Sequence, residues 1–369
     1  MNDSFLRSSA IRGLLLGAAC LFTTAFLARA ALTCAPAPPP GKSVAIADES
    51  ALIIWDSAST TEHFIRRASF TTDADDFGFL VPTPYAPTLT EVEDDLFTTL
   101  EQITAPEIKT VSLPRGGGCG CGMKEAPTPK AAAVHVIAEQ RVAGHDAAVL
   151  EADNPGALID WLSEHGYATS PLLTDWLKPY LDQHWKITAF RIAKDAPESE
   201  QVATKAICMS FHTDKPFYPY REPVAGPLAD GTAGQHSEGV TPRMLRVYFV
   251  GTERVEGTLG LEGTFRPGNA VWSNRLDAAQ RLKIVNRLSV KDSLPEQDWW
   301  LTEFEDDSSP RPGTDDVFYA RSDQQTPLAR EPVIHYVSTG DYGPSALLVI
   351  AACLAITRSL RRRTPDRSS

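Results

Sequence analysis

Residues 76–103 read DFGFLVPTPYAPTLTEVEDDLFTTLEQI, and the spacing of the apolar residues changes within this stretch. At its start, Phe77, Phe79 and Val81 alternate with other residues, which predicts a β-strand with one buried face. Pro82 and Pro84 are predicted to end that strand, because proline has no N–H to donate to a neighbouring strand. The stretch therefore begins as part of a sheet.

The second half of the stretch has the spacing of a helix. Its apolar residues recur at intervals of three or four positions: Val92, Leu96, Leu100 and Ile103. Thr90 is predicted to cap this helix, with Glu93 completing a capping box. Pro106 is predicted to close it. A strand followed at once by a helix indicates a domain that contains both kinds of element.

Short or alternating apolar runs predict further strands on both sides of this stretch. These runs are Val44–Ala47, Ala51–Trp55, Glu62–Phe70, Val134–Gln140, Ala147–Glu151, Trp185–Ala193, Val202–Phe211 and Leu245–Val250. The polar residues Asp48, Glu49 and Ser50 separate the first two runs and predict a hairpin turn there. Short strands joined by turns favour antiparallel pairing.

Two more helices have start and stop signals. Asn154 is a good capping residue before Pro155, and Gly166 is well placed to end the helix that follows. Pro171 begins a second helix, which Pro179 is predicted to interrupt. The fold class predicted from these elements is α+β, a mainly antiparallel β-sheet with a few short helices.

The amino terminus has the parts of a secretory signal peptide, which is assigned to residues 1–30. A basic start precedes the apolar run Ile11–Leu27, and Ala28-Arg29-Ala30 offers small residues for cleavage before Ala31. An uncleaved N-terminal anchor is the alternative. Either interpretation places the following residues outside the cytoplasm.

The carboxyl terminus combines an apolar run with arginines. Residues 342–358 are predicted to form one transmembrane helix, which is short but extended in reach by its flanking residues. Residues 359–369 form a basic tail that the positive-inside rule places in the cytoplasm. A processed C-terminal sorting signal has a similar pattern. The membrane is therefore a predicted partner, through this single C-terminal helix.

The ectodomain between these ends is divided by composition. Residues 31–115 and 131–295 are predicted to form two α+β parts, joined by a loop rich in Gly, Pro and Cys at 116–130. Residues 296–341 are acidic and predict a stalk or an irregular segment. The length allows one large domain or two smaller ones.

Charge excludes one class of partner. The chain has 35 basic and 47 acidic residues, and its net charge is −12. The segments at the two ends contain more arginines than acidic residues. The net charge of the ectodomain without them is therefore more negative than −12. Nucleic-acid binding needs a basic face, so no nucleic-acid partner is expected. The predicted partner outside the cytoplasm is a protein or ligand that the sequence does not identify.

Several motifs in order resemble a known bacterial family. They are Ile53-Ile54-Trp55-Asp56, residues 76–84, Leu96-Phe97 with Thr104-Ala105-Pro106, residues 157–162 with Gly166-Tyr167, and Phe217-Tyr218-Pro219. The pattern is similar to that of the family known as domain of unknown function 2330, from about Cys34 to Val250. The chain departs from it by lacking a Gly-rich aromatic stretch after Cys34. The resemblance implies an exported protein, often membrane-anchored, and assigns no activity or catalytic residue.

Cysteines provide the only candidate site residues. Cys119 and Cys121 lie in a glycine-rich run that leaves both sulfurs free to approach one ion, so they are candidate metal ligands. An oxidising compartment favours disulfides instead. The disulfide candidates are Cys34, Cys119, Cys121 and Cys208, and four cysteines allow three connectivities. No cofactor is expected.

Common catalytic patterns are missing from the sequence. No Gly-x-Ser-x-Gly elbow, phosphate-binding loop or metalloprotease histidine pair occurs. The histidines are scattered, and the acidic runs at 73–76 and 303–307 are interpreted as solvated loop charge. Trp299 and Trp300 are either an interfacial anchor or a buried pair. Enzyme activity is therefore left open, with a non-enzymatic role preferred.

The sequence thus predicts a membrane-tethered extracytoplasmic protein that is a non-catalytic binding or envelope-associated module. The alternative is a metal-handling or thiol-redox protein that uses Cys119 and Cys121. Dispersed carboxylates or histidines could also build an enzyme site, since such sites leave no local motif.

Overall fold

The computed structural model covers most of the predicted ectodomain. It describes residues 35–37, 42, 44–113, 138–143, 145–152, 154–167, 169–193, 201–223, 243–308 and 311–338. The predicted signal peptide, the Cys119/Cys121 loop and the predicted membrane helix lie outside these residues. Within the described ranges, no helix combines the length and apolar character that crossing a membrane requires.

Strands dominate the described residues. They are β1 (Ala35–Ala37), β2 (Val44–Asp56), β3 (Thr61–Thr72), β4 (Asp76–Thr83), β5 (Thr88–Glu91), β6 (Ile108–Leu113), β7 (Ala138–Val142), β8 (His145–Leu150), β9 (Lys186–Ala193), β10 (Gln201–Ala203), β11 (Ile207–His212), β12 (Phe217–Tyr218), β13 (Met244–Gly251), β14 (Val255–Leu259), β15 (Asn269–Arg275), β16 (Trp300–Asp306), β17 (Val317–Arg321) and β18 (Val333–Ser338). The helices are α1 (Leu96–Ile103), α2 (Pro155–Glu164), α3 (Pro171–Leu181) and α4 (Ala278–Val285). The predicted α+β class is confirmed.

Two large sheets carry most of the strands. The central sheet has the order β15-β16-β13-β2-β3-β11-β5, and β10 also pairs with β3. The flank sheet has the order β1-β4-β9-β8-β7, and the small sheet has the order β12-β17-β14. Pairing is antiparallel except between β2 and β13 and between β6 and β18. Mainly antiparallel sheet is therefore confirmed as well.

The layers follow the order helices, central sheet, flank sheet, helices. One face of the central sheet packs against the flank and small sheets, and Phe64 and Phe79 belong to this shared core. The opposite face of the central sheet is covered by α1 and α4, while α2 and α3 cover the outer face of the flank sheet. The central and flank sheets are thus each buried on both faces, which explains their near-continuous apolar runs.

The predicted hairpin turn at Asp48, Glu49 and Ser50 is wrong. These residues lie inside the single long strand β2, with a register shift near Ile46. Glu49 is only 1 % exposed, and Arg66 on β3 donates to its Oε1 at 2.5 Å. A paired carboxylate can occupy a buried strand position that an unpaired one cannot.

The start of α1 also differs from the prediction. Thr90 lies in β5, and Val92 forms an isolated bridge with Leu288 instead of belonging to the helix. The cap residue is Asp95, whose side chain makes no capping hydrogen bond. Helical spacing therefore overestimated the helix by one turn, because a long-range pairing holds Val92 in extended backbone.

The signals for the other two helices are partly confirmed. Asn154 Oδ1 accepts from the Ala157 N–H at 2.9 Å, with Pro155 in the first turn, as predicted. However, α3 continues through Pro179 to Leu181. The proline lacks the N–H that would bond to the Asp175 carbonyl. Asp175 is exposed, so water can hydrogen-bond to that carbonyl and the helix persists.

Of the two prolines predicted to end β4, the strand passes through Pro82 and stops directly before Pro84. The strand runs to Thr83, which pairs with Lys186 of β9. On the other side, the described part of β1 reaches only to Leu80. At Pro82, β4 therefore pairs on one side only among the described residues. A missing N–H is tolerated where a strand has no neighbour on that side.

The predicted division of the ectodomain does not match the sheets. β2 from the first predicted part pairs with β13 from the second, so the two parts share the central sheet. The described residues within 296–338 supply β16, which lies between β13 and β15, together with β17 and β18. Trp299 and Trp300 are 2 % and 4 % exposed, so the buried alternative for this pair is the one observed.

A buried acid in β3 makes the stability of this core depend on pH. Glu62 is 0 % exposed, and its Oε2 accepts from the Phe217 N–H at 2.9 Å. Burial raises the pKa of Glu62 well above its ordinary value of 4.5, although the Phe217 hydrogen bond opposes this. The folded protein therefore retains a proton that the unfolded chain releases.

We expect the stability to fall as pH rises above about 4.5, because only the unfolded state then ionises Glu62. The slope from this group is at most about 1.4 kcal/mol per pH unit, up to the folded pKa. Glu62→Gln should remove that slope, since an amide is neutral throughout. Urea unfolding of both proteins at several pH values measures this, and parallel curves would contradict it.

Candidate functional site

A cleft opens between the central sheet and the flank sheet. It is lined by Arg66, Phe79, Val81, His145, Phe190, Ile192, Thr204, Lys205, Ile207 and Met209. Its enclosed volume is about 30 Å³, and one water molecule needs roughly 10–15 Å³. The cleft is therefore large enough to admit more than one non-hydrogen atom of a ligand.

Apolar side chains form the walls of the cleft because of strand alternation. Phe79 of β4 lies opposite Phe190 of β9 in the register of the flank sheet. Ile207 and Met209 are two residues apart on β11, so they share one face of the central sheet. The two sheets thus present facing apolar surfaces, with polar groups only at particular positions.

Arg66 is held rigidly at one side of the cleft. Its guanidinium carbon lies 3.9 Å from the centre of the Phe79 ring, a cation–π distance. Its Nε donates to Glu49 Oε1 at 2.5 Å, and the Tyr218 hydroxyl donates to the same oxygen at 2.5 Å. Burial alone would raise the pKa of Glu49, but Arg66 and these hydrogen bonds lower it overall. The pair is therefore ionised.

His145 contributes an imidazole without a partner in the described part of the chain. The residue begins β8, two positions after Ala143, which has a φ of 52°. It is 8 % exposed, and its Nε2 has no hydrogen-bond partner among the described residues. Burial and the charges of Arg141 and Lys205 lower the pKa of His145 to about 4. The ring is neutral at physiological pH and has one donor and one acceptor nitrogen.

Lys205 provides an exposed positive charge in the lining of the cleft. It follows Thr204, whose Oγ1 donates to the Ala68 carbonyl at 3.0 Å and fixes the connection between β10 and β11. The Lys205 ammonium is 3.8 Å from Asp94, and its side chain is 46 % exposed. Apolar walls with donor nitrogens on Arg66, His145 and Lys205 suit a ligand with an acceptor head group and an apolar body.

The cysteines named from the sequence do not form this site. Cys34, Cys119 and Cys121 lie outside the described residues. Cys208 is fully buried and forms no disulfide within the described residues. Its pairing stays a prediction, because the other three candidates lie outside those residues. Cys208 lies in the interior of β11, facing the core under α1, and burial raises its pKa to about 11. No group of three potential metal-ligating side chains occurs in the described part of the chain.

Buried ion pairs are the feature that sequence reasoning missed. Glu303 and Asp306, interpreted as solvated loop charge, are 1 % and 4 % exposed. Asp306 lies 3.2 Å from Arg311 and accepts from the Tyr220 hydroxyl at 2.7 Å. A second buried pair joins Glu222 to Arg243. The available signal was the position of these acids within apolar strand patterns, which a loop does not have.

The comparisons with known proteins identify the family. The model of the family described as uncharacterized protein conserved in bacteria (DUF2330) matches residues 28–258. The chain belongs to this family. No curated protein matches it.

Among solved structures, the chain is similar to the crystal structure of baculovirus P35. The identity is 8 %, with 78 % of this chain and 98 % of that chain covered and a TM-score of 0.33. A score this low supports no argument about function. The family match ends within β14, whereas the central sheet continues through β15 and β16.

The His145 environment predicts an unusual titration. Its imidazole should stay mostly neutral until the pH falls to about 4. An NMR titration that follows the His145 ring signals measures this directly. Because the folded pKa lies below the ordinary value of 6.5, stability from this group is complete above 6.5 and declines as the pH falls from there towards 4. Arg141→Gln should move the midpoint upward by removing a nearby positive charge.

Arg321→Gln is the matched control, because Arg321 is an exposed arginine paired with Glu253. It should leave the His145 midpoint unchanged. An ordinary midpoint for His145 in the unsubstituted protein would show that the imidazole is not desolvated as the structure describes.

Proposed function

We propose that this protein is a membrane-tethered extracytoplasmic binding module that holds a small anionic ligand with an apolar body in the cleft. The observation that carries this proposal is the buried His145 Nε2, which has no partner among the described residues and belongs to the cleft lining. A buried nitrogen without a partner costs roughly 1–3 kcal/mol, and a ligand acceptor atom would recover that energy.

An anionic head group fits the charges beside the cleft. Arg141 and Lys205 both lower the pKa of His145, so their positive potential reaches the imidazole despite their carboxylate neighbours. Those neighbours lie 3.7 Å from Arg141 and 3.8 Å from Lys205, longer than close charge-assisted hydrogen bonds. The potential is local, because the chain as a whole is acidic. A carboxylate is the simplest head group of this kind.

The lining supports binding rather than chemistry at this position. Arg66 is committed to Glu49, and the only hydroxyl in the lining, on Thr204, donates to the Ala68 carbonyl. Among the described residues, no cysteine or serine is part of the lining. These residues therefore do not place a hydroxyl or thiol nucleophile next to a free base, which covalent catalysis needs.

The tether is proposed from the ends of the chain. The first thirty residues have a secretory pattern, and residues 342–358 are apolar and followed by arginines. The last described strand, β18, ends at Ser338, shortly before that apolar run. The folded residues would then lie outside the cytoplasm, close to the membrane surface.

Binding can be tested with acetate, a small carboxylate with one methyl group, by isothermal titration calorimetry of the full-length protein in detergent. We expect acetate to bind and ethanol to bind more weakly, because only acetate carries the charge. Lys205→Gln should weaken acetate binding by up to about 5-fold, the effect of an exposed charge pair. Met209→Trp should block it by filling the cleft.

Lys178→Gln is the control, since Lys178 is an exposed lysine on α3 that pairs with Asp182. It should bind acetate as the unsubstituted protein does. Equal affinity for acetate and ethanol would argue against an anion site. Unchanged binding in Met209→Trp would place the ligand elsewhere.

The topology is tested by adding protease to spheroplasts. The folded residues should be digested and only a short fragment containing Arg361–Arg363 protected, because the arginines are expected in the cytoplasm. The mature amino terminus should be Ala31 by N-terminal sequencing. Protection of the folded residues would refute the proposed orientation.

A further inference from the structure

A serine and a histidine pair on the other face of the central sheet, away from the cleft. Ser210 of β11 lies opposite His63 of β3 in the sheet register. The Ser210 Oγ is 2.8 Å from His63 Nδ1. His63 is 1 % exposed, whereas Ser210 is partly exposed to solvent. The serine is thus partly accessible and its histidine partner is enclosed.

A backbone carbonyl determines which nitrogen of His63 carries the proton. The Nε2 atom lies 3.1 Å from the Ser293 carbonyl oxygen, which can only accept. The neutral ring therefore has its proton on Nε2 and a lone pair on Nδ1, and the Ser210 hydroxyl donates to that lone pair. Ser293 is itself held by its N–H and its hydroxyl, which both donate to the Val290 carbonyl, at 3.0 and 2.9 Å.

The surroundings keep His63 in its basic form. Burial lowers its pKa below the ordinary value of 6.5, against the opposing effects of the Ser293 carbonyl and Asp56. The imidazole is therefore neutral at physiological pH. A nucleophile, a base within hydrogen-bond distance and a third group that orients the base are the parts that activate a serine.

The Ser210 side is open towards the edge of the sheet. Thr88 of β5, the edge strand, lies opposite Ser210 and is exposed. The exposed Tyr85 ring packs against His212, at 5.1 Å between ring centres. The neighbouring Cys208 thiol is 3.6 Å from Ser210 Oγ but fully buried, and burial raises its pKa to about 11. Ser210 is thus the accessible nucleophile of this group.

We propose that Ser210 is a reactive nucleophile that His63 activates. Ser210 accepts the acyl group of a carboxylic ester. The Ser210 oxygen forms a bond to the acyl carbon while its proton moves to His63 Nδ1. The bond from that carbon to the alkoxy oxygen then breaks, and the His63 proton goes to the departing alcohol. Water releases the acid by the same route and restores Ser210. This activity is independent of the cleft and its ligand.

The test is covalent labelling of the full-length protein with a fluorophosphonate probe, followed by mass spectrometry of the labelled peptide. Ser210 should carry the label. Ser210→Ala should lose it, whereas Ser163→Ala, which changes an exposed serine of α2, should be labelled at the unsubstituted rate. His63→Gln should slow labelling by about 100-fold or more, the usual minimum for a general base.

Two readouts separate activation from a structural role. The labelling rate should rise with pH, with its midpoint below 6.5, as His63 loses its proton. Circular dichroism melting establishes that Ser210→Ala folds, since it removes one oxygen only. Absence of labelling in the unsubstituted protein, label on another residue, or full labelling of a folded Ser210→Ala would each overturn the proposal.

Discussion

The ion pair between Glu49 and Arg66 is the interaction on which the rest of the structure depends. Glu49 lies in the middle of β2, the strand that β3 and β13 flank in the central sheet. Its carboxylate also accepts from Tyr218 of the small sheet, while Arg66 lies over Phe79 of the flank sheet. One buried pair therefore connects the central, small and flank sheets. Removing one partner of such a pair typically costs about 3–5 kcal/mol.

Strand β3 also explains why the chain has two candidate sites on opposite faces. Residues with even numbers, such as Arg66, face the flank sheet and the cleft. Residues with odd numbers, such as His63 and Ile65, face α1 and α4. Because side chains alternate along a strand, one element supplies the fixed cation of the cleft and the base next to Ser210. The two sites are separated by the thickness of a single sheet.

The folded unit extends beyond the residues that the family model matches. The match ends at residue 258, within β14. Beyond it, β16 pairs with both β13 and β15, and Trp299 and Leu301 enter the core beneath the helices. Without β16, the edge of β13 would be exposed, and an unpaired edge invites aggregation. The segment after the match is therefore part of the same folded unit.

Much of the secondary structure was available from the sequence alone. Alternation predicted β3 and β4, and the signals at Asn154, Pro155 and Gly166 predicted α2. These features depend on residues close together in the chain, so local rules suffice. The family was likewise recognisable from short motifs in order.

Only the tertiary structure decided where the charges and the sites lie. From the sequence, Asp48-Glu49-Ser50 resembles a turn, but in the structure Arg66 pairs with the Glu49 carboxylate inside a strand. Val92 has helical spacing, but it forms a bridge with Leu288. The cleft joins residues from 66 to 209, and the Ser210–His63–Ser293 group spans 230 positions between its outer members. Sequence spacing carries no record of such contacts. They arise when distant strands become neighbours in one sheet, and burial then selects which charges must be paired.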